Sequence, residues 1–175
     1  MKCYVGVGSS AAPAPILSIM TRLAAVMVRR GITLRTSTQP GPDEAFRQGS
    51  SGKFFTFLPD DDLSGKTVWG IPSDLTPSGA DATLARKLNP TFLLLPEPEK
   101  RWEIVANSVV LGLTPDSTAK MVICWTPDGA ICEADFTGKT GHTARYLKVA
   151  ERFGVPVFNL ARKAHLDQAF RWLTA

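Results

Sequence analysis

The chain has 175 residues, 44% of them hydrophobic, and carries 20 Lys+Arg against 16 Asp+Glu for a formal net charge of +4. That length suits one domain with a full core. No apolar run approaches the roughly 20 residues of a membrane-spanning helix, and Met1-Lys2-Cys3-Tyr4-Val5 shows no charged-then-apolar leader, so a cytoplasmic protein is expected over a membrane or secreted one.

Cys3-Tyr4-Val5-Gly6-Val7 is β-prone and ends in the small residues Gly8-Ser9-Ser10. Pro13 and Pro15 then stand where a helix begins, since a first-turn proline forfeits no helical hydrogen bond. Ile16, Ile19, Met20, Leu23, Val26 and Met27 follow at helical spacing, Gly31 closes the element, and Ile32 to Thr36 is a second strand. Strand, small-residue turn, helix and strand make one right-handed βαβ unit. A short helix is expected over 43–49 and a third strand over 53–59. The acidic turn Asp60-Asp61-Asp62 and an irregular stretch with Gly65, Gly70, Pro72, Pro77 and Gly79 come next. Helices are expected over 80–88 and 98–111.

Met121 to Trp125 is the strongest buried strand, followed by the turn Thr126-Pro127-Asp128-Gly129. Ala130 to Phe136 reads as a short strand or an extended connection. Gly138-Lys139-Thr140-Gly141-His142-Thr143 opens a helix running to about Phe153. A last strand over 155–160 and a helix over 164–173 complete the pattern. Strands alternating with helices at this spacing predict a single-domain, Rossmann-like fold over 1–175, a mostly parallel open sheet with helices on both faces.

The charge is uneven along this pattern. Residues 1–59 hold seven basic and two acidic side chains, 60–119 five and nine, and 120–175 eight and five. Chain ends that fold together would form a mildly basic half, suited to phosphate-bearing partners.

In such sheets ligands bind outside the carboxyl ends of the strands. That rule selects Gly8-Ser9-Ser10, the stretch from Thr36 to Asp43, Thr126, and Gly138 to Thr143. The last is the best single motif. Two glycines expose N–H donors at the positive end of a helix, Lys139 adds a charge, and Thr140 and Thr143 add hydroxyls. A glycine turn with a threonine N-cap is the plainer alternative. His142 is either a phosphate or base contact or a partly exposed structural histidine. Asp43, just behind Gly41-Pro42, either accepts hydrogen bonds from a ribose or caps its own helix.

Other chemistries find little purchase. Cys3, Cys124 and Cys132 form no CxxC pair, and with only His142 and His165 beside them no zinc set is assembled. Cys3 and Cys124 sit in apolar runs and are expected in the core, as are Trp125 and Trp172; Trp69 is the tryptophan kept as a stacking candidate. No serine has a sequence reason to sit beside a histidine, so a Ser/His hydrolase is disfavoured. No metal or cofactor is expected.

With these residues in hand, the chain resembles the Rossmann-like superfamily that joins the DNA-processing protein A family to the LONELY GUY phosphoribohydrolases. Gly8-Ser9 stands where that family has G-S-R, and Pro40 to Gly49 is similar to its G-x-x-x-G-x-D-x-A-F-x-x-G pattern. Asn107 resembles the asparagine of its R-N helix, Gly138-Lys139-Thr140-Gly141 its G-G-T-G turn, and Val155 to Phe158 its closing strand. The likeness is greatest to compact single-domain versions often carried by bacteriophages. Ser10 replaces the usual arginine, Lys139 the second glycine, and Ala106 the residue where an arginine often precedes the asparagine. Aligning Gly138 and Gly141 with the hydrolases' P-G-G-x-G-T-x-x-E motif puts His142 at the threonine and Arg145 at the catalytic glutamate, which argues against that hydrolysis.

The expected function is therefore binding of a nucleotide-type phosphorylated ligand. The expected contacts are Gly8, Ser9, Ser10, Gly41, Asp43, Asn107, Thr126, Gly138, Lys139, Thr140, Gly141, His142 and Thr143. Two other functions stay open. One is a single-stranded DNA-binding module like the recombination mediators, for which Arg22, Arg29, Arg30 and Arg35 are suggestive. The other is hydrolysis of a nucleotide's N-glycosidic bond. The resemblance also implies a homodimer.

Overall fold

A computed structural model describes residues 1–58, 79–112 and 115–174. Trp69, the acidic turn at 60–62 and the irregular stretch after it lie outside the described residues. The strands β1 (Cys3–Gly6), β2 (Thr33–Thr36), β3 (Phe54–Thr56), β4 (Val122–Cys124) and β5 (Val157–Asn159) form one sheet in the order β3-β2-β1-β4-β5. Every pairing is parallel: Val5 stands opposite Arg35 on one side and Val122 on the other, Leu34 pairs with Phe54, and Ile123 with Phe158. The chain winds outward from β1 to β3, crosses back to place β4 beside β1, and winds outward again to β5.

The helices are α1 (Ala14–Arg29), α2 (Pro42–Gly49), α3 (Gly79–Leu88), α4 (Glu97–Leu111), α5 (Ala144–Arg152) and α6 (Lys163–Thr174). Side chains alternate between the faces of a strand, and the two apolar clusters follow that alternation. Tyr4, Leu34 and Ile123 pack with Met20, Leu23 and Met27 of α1, Phe46 of α2 and Ala169 of α6. Val5, Val122 and Cys124 pack on the opposite face with Val105 and Val109 of α4 and Leu147 and Ala150 of α5. Helices thus cover both faces, which is the Rossmann-like architecture expected. Cys3 and Cys124 are core residues. Among the described residues no helix is long and apolar enough to cross a membrane.

Several element bounds differ from expectation. β3 is confined to Phe54–Thr56, and 130–136 contains a 3-10 turn, Glu133–Asp135, rather than a strand. The glycine-rich motif does not itself open the α-helix. Gly138 to Thr140 is a turn, Gly141–Thr143 a 3-10 turn, and α5 begins at Ala144. The basic chain ends do meet: α6 packs on α1, and Arg30 donates through Nη2 to the Trp172 carbonyl at 3.2 Å.

The ladder between β1 and β4 continues past the strands. The N–H groups of Val7 and Ser9 donate to the carbonyls of Ile123 and Trp125 at 3.3 and 3.0 Å. Between those donors sits Gly8, where an added Cβ would lie 2.8 Å from the Trp125 carbonyl oxygen and 2.9 Å from Cγ of Pro42. Neither neighbour is the flexible end of a side chain. Gly8→Ala is expected to lower stability by about 1–3 kcal/mol, whereas Gly138→Ala, with nothing within 4 Å, should change it by less than about 0.5 kcal/mol. Urea denaturation of both variants checks this, and equal losses would show that the crowding at Gly8 relaxes freely.

Candidate functional site

The return of the chain from β3 to β4 leaves a switch point between β1 and β4, where connections on the two sides of the sheet diverge. A cleft opens at this carboxyl edge. It is lined by Gly8 just after β1, Gln39 from the β2–α2 loop, Asp43 from the first turn of α2, Glu99 and Trp102 from α4, His142 and Thr143 from the 3-10 turn, and Arg145 and Tyr146 from the first turn of α5. Its cavity volume is about 80 Å³, the room of a few water molecules. Only part of a ligand larger than a simple anion fits inside it.

Asp43 is the most constrained group in the cleft. Gly41, with a positive φ of 89° and an added Cβ that would lie 3.2 Å from Cα of Ser10, lets the chain turn sharply into α2. Asp43 becomes the second residue of that helix and is 1% exposed. It is not the N-cap. Its Oδ2 reaches back to β2 and accepts from the Ser37 N–H at 3.2 Å and from the Ser37 hydroxyl. Oδ1 is buried with no hydrogen-bond partner among the described residues. Burial pushes the carboxyl up to about 6, against the opposing effect of the Ser37 hydrogen bonds, the Arg47 charge and the nearby Thr36 hydroxyl, whose proton goes to the Gly6 carbonyl. The neighbouring Tyr146 phenol is raised by its own burial and, next, by the Asp43 charge.

The opposite wall is an ion-pair cluster. Arg145 has only 7% of its side chain exposed; its Nη2 donates to Glu99 Oε2 at 2.8 Å and to His142 Nδ1 at 2.7 Å, and its Nε to the His142 carbonyl at 3.2 Å. A guanidinium only donates, so Nδ1 of His142 is the acceptor and the imidazole carries its proton on Nε2. Glu103 stands 4.0 Å from Arg145 on the far side. Two carboxylates therefore neutralise the single cation of the inner wall. His142, 73% exposed, stands at the mouth.

The remaining expected contacts divide by what already holds them. Ser9 accepts the Ala11 N–H on its hydroxyl at 3.2 Å, and exposed Ser10 packs beside Gly41. Gly138, Lys139 and Gly141 are exposed at the rim. Thr140 and Thr126, by contrast, are structural. Thr140 donates its hydroxyl to Asp128 Oδ2, and Thr137 does so at 2.7 Å. Thr126 and Asn159 exchange hydrogen bonds of 3.3 and 2.7 Å that tie the end of β4 to β5. Asn107 is buried in α4 and is not among the residues lining the cleft. Among the described residues no group of His, Cys, Asp and Glu is placed to hold a metal ion.

Sequence reasoning missed Glu99, Trp102 and Tyr146, had Gln39 only as part of the stretch from Thr36 to Asp43, and read Arg145 only as a lost glutamate. The 98–111 helix was visible, but which of its turns faces the sheet edge depends on how the chain returns from β3. The carboxylate beside Arg145 is Glu99, which comes from another helix. No family model matches the chain, and no curated protein matches it. Fold and site define a parallel, Rossmann-like α/β protein with a polar cleft at its switch point.

Two expectations follow from this chemistry. A folded-state value of about 6, above the unfolded 3.8, means that the native state binds the proton more tightly. The ionised carboxylate therefore costs stability above pH 6, and that cost disappears as pH falls toward 4. Asp43→Asn keeps an acceptor for Ser37 without the charge, so it should be more stable than wild type by up to about 3 kcal/mol at pH 7.5, with the gain shrinking by pH 5. Thermal unfolding at the two pH values checks this; a variant less stable at both would mean that the charge is compensated. At Asp128, burial would raise the carboxyl, but bonds from Thr140, Thr137, Thr126 and the Ala130 N–H outweigh it and hold it far below its usual range. Asp128→Ala should loosen the glycine turn, costing about 1–3 kcal/mol and speeding amide exchange over 137–143 while leaving β5 protected.

Proposed function

We propose that the protein binds a nucleotide-type phosphorylated ligand at the carboxyl edge of its sheet, between the Gly8-Ser9-Ser10 loop and the Gly138–Thr143 turn. The observation that carries this reading is the cleft itself. It stands at the β1–β4 switch point, with Gly8 and Thr143 facing it from the two turns singled out in the sequence. Trp102 and Tyr146 give it aromatic surface suited to a planar base or a sugar face. The rim residues Gly138, Lys139 and Gly141 supply open backbone and a cation for the phosphate.

The other two readings find less support. Of the arginines a nucleic-acid groove would use, Arg35 is only 4% exposed, leaving Arg22, Arg29 and Arg30 on the polar side of α1. Hydrolysis needs a carboxylate free to activate water, while Glu99, the carboxylate on the wall beside the glycine turn, is engaged by Arg145.

Native mass spectrometry of the purified protein, with calorimetry against the four ribonucleoside 5′-monophosphates, tests the reading. At least one should bind, with little dependence on salt. Gly141→Asp adds a carboxylate at an exposed turn whose φ of 57° aspartate tolerates, and binding should weaken by about tenfold or more through like-charge repulsion. Absence of nucleotide binding, together with retention of short single strands that falls steeply with salt, would favour the nucleic-acid module instead.

A further inference from the structure

The cleft is acceptor-rich inside and donor-rich at its rim. Asp43, Glu99 and Gln39 line it, and the one inner cation, Arg145, is held by Glu99 at 2.8 Å with Glu103 at 4.0 Å behind it. An anion entering here would meet carboxylates on two sides. Lys139 and the exposed Gly138 and Gly141 lead directly into His142 and Thr143 of the lining. The inner wall also carries an unmet demand: Asp43 is 1% exposed, Oδ2 is committed to Ser37, and Oδ1 has no partner among the described residues. A buried acceptor left without a donor is expensive. The cavity volume of about 80 Å³ admits a small head group and not a whole nucleotide.

We infer that the inner cleft is a hydroxyl subsite: the ligand enters sugar-first, the ribose 2′-hydroxyl donates to Oδ1 of Asp43, and the phosphate remains toward the Gly138–Gly141 turn. This rests on the nucleotide reading above and adds to it a direction of binding and a selection for ribo over deoxyribo sugars. The selection arises because a ligand without the hydroxyl fills the cleft and leaves Oδ1 buried and unpaired. It also separates the protein from a DNA-binding module, since a DNA strand offers no 2′-hydroxyl and its 3′-oxygens are esterified.

The test uses two probe sets on the full chain, followed by amide resonance shifts so that millimolar binding is measurable. One is ribose 5-phosphate against 2-deoxyribose 5-phosphate; the other is each ribonucleoside 5′-monophosphate against its 2′-deoxy and 2′,3′-dideoxy forms. For wild type, loss of the hydroxyls should weaken binding about tenfold or more, the range of a hydrogen bond to a charged group. In Asp43→Asn, whose folding the unfolding series above monitors separately, the same change should matter less than about threefold, because the side chain can present its amide N–H in place of the acceptor. Ribo and deoxy probes binding wild type equally would overturn the hydroxyl subsite and leave nucleotide binding standing. A ribo preference that persists undiminished in Asp43→Asn would assign the selection to another residue and also overturn it. No shift with any phosphorylated probe would remove the nucleotide reading itself.

Discussion

The arrangement at the sheet edge depends on one strand pairing both ways. β1 hydrogen-bonds to β2 on one side and β4 on the other, although more than eighty residues separate β2 from β4 in the chain. Because both neighbours are parallel to it, all three carboxyl ends emerge together, and the connections leaving them must diverge to opposite faces. Divergence leaves a space at this edge, which among the described residues is the cleft. Gly8 is the point of closest approach: the β1 end, the Trp125 carbonyl and the Pro42 ring meet there, and an added methyl would part them. The cleft is thus a consequence of the winding order, and the side chains that face it come from segments with no proximity in sequence.

That distance explains what could and could not be read beforehand. Alternation of β-prone runs with helical stripes was enough to place β1, α1, β2, β4 and α6 and to predict the parallel, two-faced architecture. The glycine-rich turns were visible as ligand loops because strand ends are where such folds bind. Glu99 and Trp102 were not, because a helix shows its stripe in sequence but not which of its turns reaches the edge. Arg145 shows the same limit from the other side. In sequence it is a basic residue with no partner in view; in the fold it is half of an ion pair whose acid comes from α4.

The polar residues of the edge looked alike in sequence and differ in the fold by whether their demand is met. Thr126 is answered by Asn159, Thr140 and Thr137 by Asp128, and Arg145 by Glu99 and Glu103. These groups shape the edge: they fix the ends of β4 and β5, hold the turn before α5, and neutralise the wall. Composition and turn chemistry cannot separate them from a ligand contact, since a threonine beside a glycine serves both purposes equally well.

Asp43 is the exception, and its exception has a physical origin. The carboxylate sits at the start of α2, where the helix dipole favours a negative charge, and Ser37 supplies two donors to one oxygen. Those donors hold the side chain in place but leave the second oxygen buried without a donor among the described residues. Desolvation therefore outweighs the stabilising contacts and raises the carboxyl toward neutrality. A protein selected for stability alone would place an asparagine here, or turn both oxygens to donors. The retained charge with one oxygen unpaired is intelligible if a donor arrives from outside the chain, for then the cost carried by the empty site is recovered when it fills. Local strain of this kind accumulates at functional positions for that reason, and at this sheet edge it singles out a carboxylate with one oxygen lacking a donor among the described residues.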